Sequence, residues 1–157
     1  MLLAVGATPS IFEMTPPIPG LVRADLRDSF DEVHGGQKHE AIDIMEPRAT
    51  PVRAVVSGTI RKLFLSKPGG NTIYLFDEME MYCYYYAHLD GYAGGLREGM
   101  RVERGDVIGF VGSTGNADAR SPHLHFAITE LGPEKQWWKG KAIDPYPFLV
   151  DAVKWAR

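Results

Sequence analysis

The stretch Ser121-Pro122-His123-Leu124-His125-Phe126-Ala127-Ile128-Thr129 decides how the chain is read. Histidines alternate with Leu124, Phe126 and Ile128, and a strand sends alternate side chains to opposite faces. One face is therefore apolar and faces a core, while His123 and His125 share the other. Outward from this segment, further short apolar runs are separated by turn residues: Ala41–Ile44, Pro51–Ile60, Thr72–Phe76, Met81–His88 and Val107–Val111. Together with His123–Thr129 they predict a mainly β domain. Glycines at Gly58, Gly70, Gly109, Gly112 and Gly115 mark tight turns and close strand crossings. Helix is expected only over Pro147–Ala156, with Trp155 covering an edge of the core. Residues 1–30 carry Pro9, Pro16, Pro17 and Pro19 among isolated apolar residues and read as an extended N-terminal arm on a body formed by residues 31–157.

Two imidazoles on one strand face suit a metal. A second donor pair, His39 and Asp43, stands four residues apart in Lys38-His39-Glu40-Ala41-Ile42-Asp43-Ile44, at the mouth of another apolar run. Imidazoles plus one carboxylate are ligands for a borderline divalent ion such as zinc, with one position left open. Cys83 is the only cysteine, so neither a cysteine-rich structural zinc site nor an intramolecular disulfide is available. In Tyr82-Cys83-Tyr84-Tyr85-Tyr86-Ala87-His88, alternation puts Tyr82, Tyr84, Tyr86 and His88 on one face. A His88 beside the His123/His125 pair is free for proton transfer or oxyanion stabilisation. Cys83 falls on the opposite face and reads as a buried apolar residue, Tyr85 as packing, and Trp137-Trp138 as a loop pad on the sheet.

The chain has 157 residues and a net charge of −3 from 17 basic and 20 acidic residues, well mixed. That is one domain, with no basic run to track a phosphate backbone, so no nucleic-acid partner is expected. No apolar stretch approaches the ~20 residues of a membrane span, and Met1–Val5 is too short for the apolar part of a signal peptide.

His39-x-x-x-Asp43, Tyr86-Ala87-His88-Leu89 and His123-x-His125, in that order, resemble the lysostaphin-type (LytM-like) M23 family of zinc metallopeptidases. Thr50-Pro51-Val52-x-Ala54, Gly105-Asp106-Val107-Ile108-Gly109, Gly112-Ser113-Thr114-Gly115 and Ile143-Asp144-Pro145 extend the likeness over roughly residues 34–149. The resemblance implies a compact antiparallel β-sheet domain with a substrate groove. It implies one Zn2+ held by His39, Asp43 and His125, with His88 and His123 as catalytic histidines; alternation alone leaves open which of His123 and His125 binds metal. The implied activity is hydrolysis of peptidoglycan stem-peptide or cross-bridge amides by a monomer in the periplasm or outside the cell. Tyr84, Tyr86, Asn116 and Arg120 are the residues expected to line the groove.

Ala41 stands where the family usually has glycine, and the segment before His39 is short. His34 in that segment reads as a solvated loop histidine rather than a plug on the metal. The competing readings are a non-catalytic M23-like domain that activates other wall hydrolases, and a β-sandwich carbohydrate-binding module. Ligand loss would mark the former, but all five motif residues are present; the latter leaves the ordered histidines unexplained.

Overall fold

The two faces read from residues 123–129 are the two faces of a sheet. In a computed structural model describing residues 7–155, His123–Leu131 is a strand whose Leu124, Phe126 and Ile128 are completely buried, while His123, His125 and Ala127 are only partly covered. In chain order the strands are β1 (Val33–His34), β2 (Gln37–Lys38), β3 (Ile42–Met45), β4 (Pro51–Arg53), β5 (Gly58–Ser66) and β6 (Gly70–Asp77). They continue with β7 (Tyr82–Tyr92), β8 (Arg101–Val102), β9 (Val107–Val111), β10 (His123–Leu131) and β11 (Gly140–Ile143), followed by the helix α1 (Tyr146–Trp155). The run expected as one strand over Pro51–Ile60 is broken into β4 and the start of β5. Its middle turns into the core, where Ala54 and Val55 are fully buried.

All pairings are antiparallel. Nine strands form one sheet in the order β11-β10-β7-β6-β5-β8, with β3 on β10 and β9 joining β7 to β4. The hairpin β1–β2 stands apart, turned by Gly35 and Gly36, both with positive φ.

The main core lies on one face of the sheet, while a smaller cluster of Phe76, Cys83 and Leu131, with Tyr74 and Trp137 packed on it, covers part of the other. Ile42 and Ile44 of β3, Tyr84, Tyr86 and Leu89 of β7, and Leu124, Phe126 and Ile128 of β10 share one core with Leu149 and Val150 of α1. Ile11, Met14, Ile18, Leu21 and Leu26 of the arm enter the same core. The arm is extended apart from single 3₁₀ turns at Ser10–Phe12 and Arg23–Asp25, and it is tied to the body by Thr15 N–H donating to the Val55 carbonyl and Arg53 N–H to the Pro17 carbonyl. Residues 1–6 of the expected arm and Ala156 of the expected helix lie outside the described residues. Trp155 does not cover the core as expected. It is 86% exposed, because α1 turns Leu149, Val150 and Ala152 inward and leaves Trp155 on its solvent side. With arm and helix on the main-core face, the opposite face stays partly open around Tyr85 of β7 and His123, His125, Ala127 and Thr129 of β10, as an antiparallel sheet permits.

Candidate metal centre

Asp43 and His125 are opposed across β3 and β10, directly paired in register. His125 Nδ1 lies 3.2 Å from Asp43 Oδ1, and His39 Nε2 lies 3.1 Å from Asp43 Oδ2. The donor atoms of His39, Asp43 and His125 all fall within 4.8 Å of one another. Two ligand atoms each ~2.05 Å from a tetrahedral ion stand ~3.3 Å apart, so this donor set fits zinc in both chemistry and separation. Burial of Ala41 leaves this register intact, so the methyl in place of glycine does not displace Asp43.

Backbone carbonyls set the imidazoles. A carbonyl only accepts, so His39 Nδ1–H donates to the Ser29 carbonyl at 2.9 Å, which leaves the Nε2 lone pair facing Asp43. Ser29 is buried, and its hydroxyl accepts from Asp43 N–H at 3.3 Å, so one residue steadies two donors. His88 Nδ1–H donates to the Thr114 carbonyl at 2.8 Å, and His123 Nδ1–H to the Ser121 carbonyl at 3.0 Å. The His88 and His123 rings stand 4.9 Å apart, and His88 is 5.6 Å from His125.

His88 reaches this place through a fault in the strand. In the β6–β7 pairing Ile73 opposes Tyr86 but Asn71 opposes Leu89, so β7 carries one extra residue there. His88 takes the strain with φ of 61°, a left-handed conformation uncommon outside glycine. The bulge turns Ala87 and His88 both into the cleft and returns Leu89 to the core. Strict alternation, which put His88 on the face of Tyr84 and Tyr86, fails at this residue.

Electrostatics separate the acid from its neighbours. Burial pushes the Asp43 carboxyl up, but the hydrogen bond from His125 and the charges of His125, His39 and His123 together outweigh it and hold the pKa at about 2. Burial lowers His88 to about 4 against the opposing hydrogen bond to Thr114, so at neutral pH it is an uncharged imidazole with a free lone pair on Nε2. Cys83 is buried away from this site, and burial pushes its thiol up to about 12, which removes it as a nucleophile.

The five residues His39, Asp43, His88, His123 and His125 line one cleft of about 370 Å³. Of the four groove residues expected from sequence, Asn116 lines it and three do not. Tyr84 and Tyr86 are fully buried on the core face, because residues of even number before the bulge point away from the cleft. Arg120 lies outside the lining with its side chain 91% exposed, in the loop that carries Asn116. Tyr85, read as packing, is the tyrosine that lines the cleft, edge-on to His125 at 5.9 Å. His34 also reaches the cleft from the β1–β2 hairpin, 5.2 Å from the His39 ring, although its side chain stays 61% exposed. The carbonyls of Ser29, Thr114 and Ser121 carry no sequence signal, since any residue supplies one.

Tyr86 has a structural duty instead: its hydroxyl accepts from the buried Val55 N–H at 3.0 Å. Tyr86→Phe is expected to strand that donor and destabilise the fold by ~1–3 kcal/mol in urea denaturation, leaving metal content and KM unchanged. A raised KM with unchanged stability would restore the groove assignment.

Residues 37–145 match the family model described as Peptidase family M23. The L-Ala–D-Glu endopeptidase of Bacillus subtilis (strain 168) is 33% identical over 141 residues, 85% of this chain and 42% of that protein. Glycyl-glycine endopeptidase ALE-1 of Staphylococcus capitis is 35% identical over 121 residues, 76% of this chain and 31% of that protein. The chain thus spans less than half the length of these relatives. The catalytic domain of the antimicrobial peptidase lysostaphin from Staphylococcus simulans superposes with a TM-score of 0.63 at 31% identity, covering 87% of this chain and 88% of that one.

Proposed function

The chain belongs to peptidase family M23, and from that premise we propose that it is a zinc-dependent endopeptidase that hydrolyses amide bonds of peptidoglycan peptides. The observation that carries this reading is the convergence of His39, Asp43 and His125 donors beside two carbonyl-anchored imidazoles in one open cleft. Support for the substrate class comes from the relatives, one named for an L-Ala–D-Glu bond and the other for a glycyl-glycine bond. A peptidoglycan substrate would lie in the periplasm or outside the cell, and we take the protein to act there as a monomer.

His39 Nε2, an Asp43 carboxylate oxygen and His125 Nδ1 would hold the ion. When bound, zinc supplies Lewis acidity that acidifies water and polarises a carbonyl. The chain's own residues do the rest. Among the described residues no glutamate lines the cleft, and the lining carboxylate Asp118 accepts from Arg120 N–H, so proton transfer is assigned to His88 and His123. With Nδ1–H tied to a carbonyl, each ring has only Nε2 to accept a proton or, once protonated, to donate a hydrogen bond to an oxyanion. The strained backbone at His88 fixes its ring in advance of substrate.

The test is zinc content and hydrolysis of purified peptidoglycan, for wild type and His123→Ala. Expected are about one zinc per chain in both, release of new amino groups by wild type, and a loss of at least ~100-fold in the variant. Stoichiometric zinc with no cleavage by wild type would overturn the enzyme reading in favour of a binding domain. A His123→Ala protein that loses its zinc would overturn the assignment of ligands.

A further inference from the structure

The cleft does not end at the metal centre. A second hollow of about 240 Å³ adjoins it along β10, and Tyr85 lines both. On β10 the residues of the open face run His125, Ala127, Thr129; the first lines the cleft and the other two line the hollow. At ~3.3 Å per residue the hollow lies ~7–13 Å from the metal centre. Its walls are a chain of aromatic rings: Tyr85 on Tyr74 at 4.8 Å, Tyr74 against Trp137 at 4.7 Å, and Trp137 edge-on to Trp138 at 5.4 Å.

Trp138 is 64% exposed, a large apolar surface to leave in water at the mouth of a cleft. Among the described residues no carboxylate lines the hollow, and its polar lining includes Thr129 and Lys139. One exposed indole, Trp138, at the end of a row of half-buried rings and beside a hydroxyl and an amine donor, matches a pyranose ring, which carries an apolar C–H face and a hydroxyl edge. A charged peptide side chain would find no acid and a single exposed amine. The volume admits one ring-sized group rather than a longer ligand.

We propose that this aromatic hollow is a sugar subsite, holding a glycan ring of the same peptidoglycan molecule whose peptide lies at the metal centre. The proposal rests on the peptidoglycan reading, since a substrate with sugar and peptide covalently joined can fill both hollows at once. It makes Trp138 a specificity residue that distinguishes glycan-linked peptide from free peptide.

The experiment compares zinc-loaded wild type and Trp138→Ala on soluble disaccharide-peptides and on the same peptides freed of sugar. Wild type is expected to cleave the glycan-linked form with a kcat/KM about tenfold higher, mainly through KM; Trp138→Ala is expected to treat both alike, with the free-peptide rate unchanged. The exposure of Trp138 makes this variant safe for folding, which far-UV circular dichroism checks. Equal rates for the two substrates in wild type would overturn the proposal, as would an equal loss on both in the variant, which would make the hollow a peptide site. If wild type cleaves neither, the peptidase reading fails on that result alone. The hollow is then judged by tryptophan fluorescence titration with an N-acetylglucosamine oligomer: a change in wild type that Trp138→Ala lacks supports the sugar subsite, and no change overturns it.

Discussion

Asp43→Ala is expected to strip zinc and activity from the protein together, with zinc affinity falling by more than ~100-fold and hydrolysis by about a thousandfold or more. The affinity figure is a floor, since losing even a partner behind a metal ligand costs about 10–100-fold. The rate figure follows from the several kcal/mol that a bound Lewis acid contributes to a transition state. Asp43 is the hinge of the cluster: its two oxygens face His39 Nε2 at 3.1 Å, His125 Nδ1 at 3.2 Å and His123 Nε2 at 3.7 Å. Without it two imidazole donors remain, with no negative charge between them. Equilibrium dialysis at fixed free zinc, beside the amino-group release assay, reads both effects. The contrast with His123→Ala is the informative part, because that variant is expected to keep zinc and lose only turnover. If Asp43→Ala binds zinc as wild type does, the ion sits elsewhere and the proposed mechanism falls.

How far the site could be read beforehand depends on whether each side chain obeys its local period. His123 and His125 do: their strand is regular, its apolar alternates are buried, and two imidazoles share the open face. The opposition of Asp43 to His125 is a cross-strand register, which no local spacing encodes; the family resemblance supplied His39, Asp43 and His125 as a ligand set but not that pairing. His88 breaks the period. Its bulge depends on Gly69 and Thr114, which accept hydrogen bonds from its N–H and its ring, and these belong to other segments of the chain. Counting by twos through that bulge put Tyr84 and Tyr86 in the groove and left Tyr85 out, an inversion of what the structure contains.

The fold was legible for a related reason. Apart from the run expected over Pro51–Ile60, which breaks into two strands, each predicted strand longer than four residues buries apolar side chains in one core, and burial of that face fixes its register. The exposed two-residue strands β1 and β2, and the half-covered β11, carry no such pattern. The arm's prolines predicted extended chain, and Ile11, Met14, Ile18 and Leu21, although spaced 3, 4 and 3 residues as on a helix, enter the main core from a segment that Pro16, Pro17 and Pro19 keep out of helix, so their burial shows no usable period. Trp155 illustrates the limit at the other end: apolar character alone does not choose a helix face.

Gly70→Ala is expected to lower stability by ~2–5 kcal/mol and to cut activity more than zinc content. Gly70 has φ of 66°, and a Cβ there would meet Thr114 Oγ1 at 2.2 Å and Gly115 N at 2.6 Å. A left-handed conformation costs an alanine ~1–2 kcal/mol, and an overpacked contact with backbone adds ~1–3. For a chain of this size the sum lowers Tm by about 4–20 °C. Gly115 repeats the demand from the other side, with φ of 77° and a Cβ position 2.4 Å from Gly70 N, so two loops are locked by a pair of missing side chains. The lock carries function, because Thr114 between them supplies the carbonyl that orients His88. Forcing the loops apart moves that carbonyl, while the contacts among His39, Asp43 and His125 lie on β3, β10 and the segment before them. Thermal denaturation, zinc content at low temperature and kcat separate these effects. Gly35→Ala is the control: φ is 59°, the same region, but nothing lies within 4 Å of its Cβ position. It is expected to lose only ~1–2 kcal/mol. Equal losses in the two variants would mean that backbone strain alone, and not the crossing of the two loops, sets the requirement for glycine beside His88.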